Sequence, residues 1–376
     1  MEKLKNIKWK HYINYVVIAI CTIVFGSMAY MGMLTTSTIY LVEKIAIAVM
    51  LAVSLSIVVG FLGELSLGHA GFMCVGAYLG GKVAVLLEGT LGNGYITMII
   101  AIIVGAAAAG ICGVIIGLPA LRLRGDYLAI VTLAFGEIVR SLFMNSSRES
   151  FGGSLGLDTP RFDKYTFLTV ALILVLVCLA VTQNLIRSKH GRAITAIRDN
   201  EIAAKATGIN VTKYKLMAFT ISSLFAGVAG VLYSYSNYTI QSTKFGYNYS
   251  IEILVMVVLG GMGNINGSII AAALITFIDV KLQQVLTGDL AVLQDFVYAL
   301  ILIVIVVYNN APSLKSFREK YNLKQMIADF KNKKHDPAKE RDDEAKWDRV
   351  PTKIDVDEVV STGVSSPKKA DSKEVE

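Results

Sequence analysis

The chain has 376 residues, of which 54% are hydrophobic and only 17% are charged, with 36 Lys and Arg against 29 Asp and Glu. Residues 313–376 hold 15 of the basic and 14 of the acidic groups, so the first 312 residues are about 12% charged, against about 25% in soluble domains. Uncharged runs at 89–121, 216–243 and 253–278 exclude a soluble globular fold and favour helices in a lipid bilayer.

The surplus of basic residues is better explained by orientation in a membrane than by nucleic acid. The net charge is +7, and residues 313–376 contribute only +1 of it. The remaining basic residues lie in short stretches between apolar runs, which is the pattern of positive-inside loops. We therefore expect the lipid bilayer as a partner and no nucleic acid.

The N-terminus carries four lysines before residues 12–40, which include no charged residue. A cleaved secretory signal peptide is one interpretation, because Ser27, Met28 and Ala29 resemble a small-x-small cleavage site. We expect a retained first helix instead, since the apolar run continues past that site. The lysines, which would stay in the cytoplasm, are Lys3, Lys5, Lys8 and Lys10.

The hydropathy pattern predicts an all-α polytopic membrane protein with about ten transmembrane segments, some of them broken helices. In this topology 13 of the 21 basic residues before residue 313 lie in cytoplasmic segments, which agrees with the positive-inside rule and leaves both termini in the cytoplasm. The predicted transmembrane domain is 1–311. Its predicted segments are 12–33, 45–63, 67–87, 95–120, 127–145, 165–186, 214–238, 251–263, 268–287 and 293–311.

Two Gly-rich stretches, residues 60–72 and 260–267, interrupt apolar runs. Paired interruptions of this kind in a transporter point to broken helices around a central pathway. The alternative is that the glycines only let helices pack closely. Polar neighbours favour the pathway, because they need a cavity or the membrane surface. The pathway candidates are Glu64, Ser66, Gly68, His69, Gly71, Phe72, Gly260, Gly261, Gly263 and Asn264.

Other polar groups in the apolar runs receive simpler interpretations. Glu137 and Arg140 are three residues apart, so they can pair on one helical face. Asp279 and Lys281 are two residues apart and cannot pair with each other on a helix. We expect their partners, which the sequence does not identify, on other helices. The cysteines lack metal-site spacing, so we expect four buried structural thiols and no metal. They are Cys21, Cys74, Cys112 and Cys178.

A long polar loop, residues 187–213, separates two apolar segments and holds six basic and two acidic residues. Small apolar residues recur in it at helical spacing, which predicts two short helices. Asp199 or Asn200 can cap the second helix, and Gly208 ends it. The loop is either a solvated positive-inside connection or a knob that docks into another protein. The apolar positions are Ala193, Ile194, Ile197, Ile202, Ala203 and Ala206.

The C-terminal tail, residues 312–376, contains many charges and, among its prolines, Pro337, Pro351 and Pro367. Residues 313–330 can form an amphipathic helix at the membrane surface. Beyond them, low hydrophobicity and high charge predict a mostly disordered cytoplasmic segment. We expect a passive extension in preference to a regulatory one.

The chain has no G-x-x-x-x-G-K-[ST] phosphate loop, no G-x-S-x-G and no H-E-x-x-H. We therefore expect a transport subunit that is not an enzyme, has no catalytic residues and takes its energy from a partner or an ion gradient. An ion-coupled secondary transporter of amino acids is the alternative, with Glu64, Glu137 and Asp279 as candidate ion carriers. A membrane scaffold acting through its tail is a third possibility.

Four motifs in order along residues 40–310 resemble the LivM-type permease of branched-chain amino-acid ABC importers. They are residues 63–78 (GELSLGHAGFMCVGAY), 121–140 (LRLRGDYLAIVTLAFGEIVR), 191–201 with 208–211 (GRAITAIRDNE and GINV), and 257–263 (VVLGGMG). The sequence departs from the family pattern at Ser150 to Gly153, at Gly267-Ser268, where a Gly-Pro is usual, and in its long tail.

The resemblance implies a bacterial cell-membrane permease that pairs with a second, related permease, two cytoplasmic ATPase subunits and an external substrate-binding protein. ATP would be bound by the partner subunits, with no cofactor on this chain, and would drive alternating access for leucine, isoleucine or valine. The coupling residues implied by the family are Gly191, Arg192, Ala193, Arg198, Asp199, Asn200, Glu201, Ala203, Ala204 and Gly208.

Overall fold

The structure is a computed structural model. It describes residues 13–92, 94–123, 125–160, 162–285, 296–300, 303 and 307. The chain divides into Met1–Asn309 and Asn310–Glu376, and the second part lies outside the described residues. The predictions for the tail, the N-terminal lysines and most of the last segment at 293–311 also fall outside them.

The described residues are almost entirely helical. Two two-residue strands, β1 (Leu157–Asp158) and β2 (Thr239–Ile240), pair antiparallel, with Leu157 opposite Ile240. The α-helices of this part of the chain are α1 (Ile13–Tyr30), α2 (Thr36–Ser56), α3 (His69–Leu91), α4 (Tyr95–Ala120), α5 (Asp126–Met144), α6 (Arg148–Phe151), α7 (Lys164–Arg187), α8 (Lys189–Asp199), α9 (Glu201–Ala206), α10 (Val211–Ser236), α11 (Tyr247–Gly260) and α12 (Ile265–Val285).

Within the described ranges, seven helical stretches are long and apolar enough to cross a membrane, and two shorter apolar helices accompany them. The seven are α2 with its extension, α3, α4, α5, α7, α10 and α12, and the shorter two are in α1 and α11. An all-α polytopic architecture is therefore confirmed. The count of about ten crossings and the cytoplasmic location of the termini stay predictions.

Helix α2 forms the centre of the bundle. Every residue from 46 to 60 is buried, and the helix packs against α7, α10, α11 and α12. It continues into a π-helical turn, Ile57–Leu62, which ends at Gly63 in the left-handed conformation, with φ of 78°. A helix buried on all sides explains why its sequence is apolar all round, without an amphipathic stripe.

The predicted start of the second segment, at residue 45, is wrong, because α2 begins at Thr36. The helix includes Glu43 and Lys44, and both contact side chains of α10. Ser236 donates a hydrogen bond to Glu43 at 2.8 Å, and the Lys44 ammonium lies 4.3 Å from the centre of the Tyr233 ring. Charged side chains can remain in an apolar helix when such partners exist.

Glycines bring α3, α4 and α10 into close contact. A Cβ atom added to Gly76 would lie 2.3 Å from the carbonyl oxygen of Gly227, and one added to Gly227 would lie 2.8 Å from that of Gly105. These helices therefore pack backbone against backbone, as small residues permit in membranes. The contact fixes α10, which leads directly out of the polar loop.

Helices α8 and α9 mark one end of the bundle, called here the loop end. Helix α7 ends and α10 begins there. The opposite end, called the far end, contains the starts of α2 and α7, the end of α10 and the β1–β2 pair.

Candidate functional site

The polar loop forms the two predicted helices, and side chains cap both. Ser188 accepts hydrogen bonds from the backbone of His190 and Gly191 at the start of α8. Asn200 accepts two from the backbone at the start of α9, so Asn200 is the cap. Asp199 instead accepts hydrogen bonds from Arg198, at 3.0 and 3.1 Å.

The two loop helices differ in the exposure of their apolar faces. The α8 face, Ala193, Ile194 and Ile197, is buried within this chain, and docking of the loop into another protein stays a prediction. On α9, Ala204 is buried and anchors the helix, whereas the Ile202 side chain is 73% exposed. Ala203 and Ala206 beside it are also exposed. Of these two described helices, only α9 therefore has an exposed apolar face that can contact another protein.

Arg198 connects the loop to the end of α2. Its Nη1 donates a hydrogen bond to the carbonyl oxygen of Gly60 at 3.1 Å. Gly63 lies directly beneath, because a Cβ atom added there would be 2.6 Å from Arg198 Cγ. Gly63 also has a positive φ, a conformation that favours glycine. The turn after α2 therefore requires glycine at position 63, and the lack of a side chain there leaves room for Arg198.

The second Gly-rich stretch meets the first at this point. A Cβ atom added to Gly60 would lie 2.7 Å from the backbone nitrogen of Gly263, and one added to Gly263 would lie 3.4 Å from Arg198 Nη1. Gly261 and Gly263 have φ of 90° and 82°, and they turn the chain from α11 into α12. The two stretches, 200 residues apart in sequence, therefore form one contact under Arg198.

A buried lysine completes the arrangement. Lys215, near the start of α10, is 3% exposed. Its Nζ donates to a carboxylate oxygen of Glu64 and, at 3.2 Å, to Glu201 on α9. The Glu64 and Glu201 side chains are 13% and 22% exposed. A buried cation shared by two carboxylates fixes their relative positions, since separation would leave the charges uncompensated.

We name this group of residues the coupling junction: Gly60, Gly63, Glu64, Arg198, Glu201, Lys215 and Gly263. Four of these, Glu64, Arg198, Glu201 and Gly263, are candidates from the sequence, and Gly60 and Gly63 lie in the first Gly-rich stretch. Lys215 is not among the candidates. The signal that could have identified it is a lysine inside the first turns of an otherwise apolar helix.

Glu201 has an electrostatic environment that favours its ionised form. The Lys205 ammonium lies 2.8 Å from its carboxylate. The hydrogen bond from Lys205, followed by that from Lys215, lowers the pKa of Glu201 below its usual value of 4.5. The carboxylate is therefore ionised at neutral pH and able to bind Lys215.

Several predicted pathway residues are packed in the bundle interior. His69 is 2% exposed, and its Nε2 lies 2.8 Å from Ser54 Oγ. Phe72 packs against Phe135 and Phe219, with ring centres 4.9 and 5.5 Å apart. Close helix packing accounts for these positions.

The other pathway candidates have defined local surroundings too. Ser66 is buried. Gly68 and Gly71 lie against the backbone of α5. Gly260 lies against Ser268, and Asn264 accepts a hydrogen bond from the backbone of Gly267 at the start of α12. A part in the pathway stays a prediction for all of them.

The Glu137–Arg140 prediction is confirmed, the expectation of four buried cysteines is wrong for Cys21 and Cys112, and partners of Asp279 and Lys281 on other helices stay a prediction. Arg140 Nε lies 2.7 Å from the Glu137 carboxylate, and Glu137 also accepts a hydrogen bond from the backbone of Tyr247. Asp279 accepts a hydrogen bond from Gln283 on its own helix. Cys74 and Cys178 are buried, whereas Cys21 and Cys112 are partly exposed.

Comparisons with known proteins identify the family. Residues 37–306 match the family of branched-chain amino acid transport system permease components. The chain is 37% identical over 281 residues to the high-affinity branched-chain amino acid transport system permease LivM of Salmonella typhimurium, covering 66% of this chain and 64% of that one. The Escherichia coli K12 LivM is 36% identical over 280 residues, with the same shares. No solved structure matches.

A more distant relative is named for a different substrate. The ribose import permease RbsC of Escherichia coli K12 is 28% identical over 246 residues, covering 62% of this chain and 74% of that one. The chain spans slightly less than two thirds of the length of the LivM relatives. With its apolar helices, it is a multi-pass protein of the bacterial inner membrane, and it belongs to the family of branched-chain amino acid transport permeases.

Proposed function

We propose that this chain is the transmembrane permease subunit of an ATP-driven importer for branched-chain amino acids. The loop end faces the cytoplasm, where α9 docks on separate ATPase subunits. A second, related permease completes the pathway, and an external binding protein delivers leucine, isoleucine or valine. The observation that carries the proposal is the coupling junction, because it joins the loop to the ends of two membrane helices.

Helix α9 has the properties of a docking element. Its Ile202 side chain is 73% exposed, and α8, which precedes it in the chain, is fixed to the bundle by its buried face. An exposed apolar side chain on a rigid support is suited to insertion in a groove of a partner. The small neighbouring alanines allow the partner's surface to approach closely.

Force on α9 would reach the membrane helices by two routes. Glu201 connects α9 through Lys215 to Glu64, which follows α2. Arg198, at the end of α8, donates a hydrogen bond to the carbonyl oxygen of Gly60 and lies next to Gly263 in the turn between α11 and α12. Both routes end at the Gly-rich turns, so movement of the ATPases would reposition α2 and α11 together.

The test is uptake of labelled leucine by proteoliposomes that contain the full importer. We expect uptake to require ATP and to persist when an ionophore collapses ion gradients. Uptake that persists without ATP but stops with the ionophore would instead support the ion-coupled alternative.

A variant of the docking residue sharpens this test. Ile202→Asp is expected to reduce co-purification of the ATPase subunits and ATP-driven uptake together, because it places a charge in an apolar contact. Leu155→Asp is the control, since Leu155 is 62% exposed at the far end. Equal ATPase recovery and uptake in the two variants would refute docking through α9.

A further inference from the structure

A cavity of about 670 Å³ lies at the far end, between the starts of α2 and α7 and the end of α10. Its volume falls in the range of about 300–1,000 Å³ that is typical of small-molecule sites. Aromatic and aliphatic side chains, including Ile39, Tyr40 and Phe167, form much of its lining. It is separate from the coupling junction, since Lys215 and Ser236 are at opposite ends of α10.

One acidic and one basic side chain line the cavity. Glu43 lines it and is 5% exposed, and Ser236 Oγ holds one carboxylate oxygen with a hydrogen bond of 2.8 Å. Lys164 also lines it, and Lys44 and Lys164 both act electrostatically on Glu43. Neither Glu43 nor Lys164 forms an ion pair within the described part of the chain. A buried carboxylate without an ion-pair partner is costly unless a cation binds it.

Tyr235 provides an independent indication of a ligand. It lines the cavity and is 8% exposed, and its buried hydroxyl has no hydrogen-bond partner among the described residues. Its ring is fixed by contacts with Phe162 and Phe167, each with ring centres 6.3 Å apart. A buried hydroxyl of this kind is destabilising unless something hydrogen-bonds to it.

We propose that this far-end cavity binds a free zwitterionic α-amino acid with an apolar side chain. Glu43 binds the ammonium group, Lys164 binds the carboxylate, and the aromatic wall contacts the side chain. The Tyr235 hydroxyl supplies a further hydrogen bond. The proposal rests on the proposed function for the choice of leucine as the probe.

The cavity is positioned for entry of substrate. Lys215 and Ser236 are 21 residues apart, which corresponds to about 32 Å at 1.5 Å per helical residue and matches the thickness of the hydrocarbon layer. If the loop end faces the ATPases, the cavity opens on the side where a binding protein releases its ligand. Selection of the amino acid would then occur in this chain as well as in that protein.

The test measures binding of labelled leucine to the purified full chain in nanodiscs of phosphatidylglycerol. Two leucine analogues separate the two charges: leucinamide lacks the carboxylate, and 4-methylpentanoate lacks the ammonium group. Glu43→Gln is expected to weaken binding of leucine and leucinamide about tenfold or more, and to leave 4-methylpentanoate unchanged. Lys164→Gln is expected to weaken leucine and 4-methylpentanoate similarly and to leave leucinamide unchanged.

Controls separate recognition from folding. Glu149→Gln and Lys213→Gln make the same charge changes at exposed positions outside the cavity, and both should bind leucine as the wild type does. Tyr235→Phe should weaken leucine binding by a smaller factor. Leucine binding by the two cavity variants that equals the controls, or equal losses for all three ligands, would overturn the proposal.

A phosphatidylethanolamine headgroup has the same pairing of ammonium and anion. Nanodiscs that also contain this lipid distinguish the two sources. We expect leucine binding to be unchanged, and its abolition would assign the cavity to the lipid. This binding measurement does not need ATP, so it is independent of the uptake assay. Loss of leucine binding with intact ATP-driven uptake would refute the cavity proposal alone. Intact leucine binding without ATP-driven uptake would refute the importer proposal alone.

Discussion

Replacing Lys215 with methionine removes the only cation that contacts both Glu64 and Glu201 within the described residues. Lys215 is 3% exposed, so its ammonium is held by these carboxylates with little access to water. Loss of one partner from a buried pair costs about 3–5 kcal/mol. The carboxylate side chains retain 13% and 22% exposure, which reduces the cost because water can partly solvate them. We expect a destabilisation of about 2–4 kcal/mol.

Thermal unfolding in detergent can be followed with a thiol-reactive dye, since Cys74 and Cys178 are buried and react when the bundle opens. Lys215→Met should unfold at a lower temperature than the wild type. Lys213→Met is the matched control, because Lys213 is exposed two residues away on the same helix. It should unfold close to the wild-type temperature.

A double-mutant cycle with Glu64→Gln tests whether the two charges act on each other. Residues in direct contact usually show an interaction energy of about 0.5–3 kcal/mol. The double variant should therefore be less destabilised than the sum of the single variants. Strict additivity, or a Lys215→Met transition equal to that of Lys213→Met, would refute the buried ion pair.

Three further predictions concern the turn, the loop and the bundle. Gly63→Ala should lower leucine uptake more than Gly32→Ala. Both glycines have positive φ, but only the Cβ added at position 63 would clash with another residue, Arg198. Gly227→Ala should reduce thermal stability, since its Cβ would lie 2.5 Å from that of a neighbouring alanine, whereas at Gly110 the nearest atom is 3.8 Å away. Glu201→Gln should be less stable than the wild type at neutral pH. Because the folded-state pKa of Glu201 is lowered from 4.5, this difference should persist above about pH 4.5 and vanish as the pH falls through the lowered pKa.

The helices and local contacts were the predictable part of this protein. Long uncharged runs locate α4 and α7 within a few residues of their observed ends. The Asn200 cap and the Glu137–Arg140 pair follow from spacings of a few residues. These features depend on local geometry, which a single sequence contains.

Features that depend on distant residues were not predictable. The start of α2 was misplaced because Glu43 resembles a boundary until Ser236, 193 residues away, is seen to bind it. Lys215 and Glu64 are 151 residues apart. The Gly-rich stretches were recognised as a pair, but no spacing could place Gly60 against Gly263. Likewise, periodicity identified the α8 face without showing that this chain itself buries it.

The most direct test of coupling is the amount of leucine imported per ATP hydrolysed by the complete importer carrying Arg198→Ala. The variant loses the hydrogen bond to Gly60, and a bond to a charged group contributes about 1.5–3 kcal/mol. Hydrolysis should continue while leucine imported per ATP falls about tenfold, with Lys213→Ala unchanged. A ratio equal to that of Lys213→Ala would contradict the claim that the coupling junction transmits movement from the loop to the membrane helices.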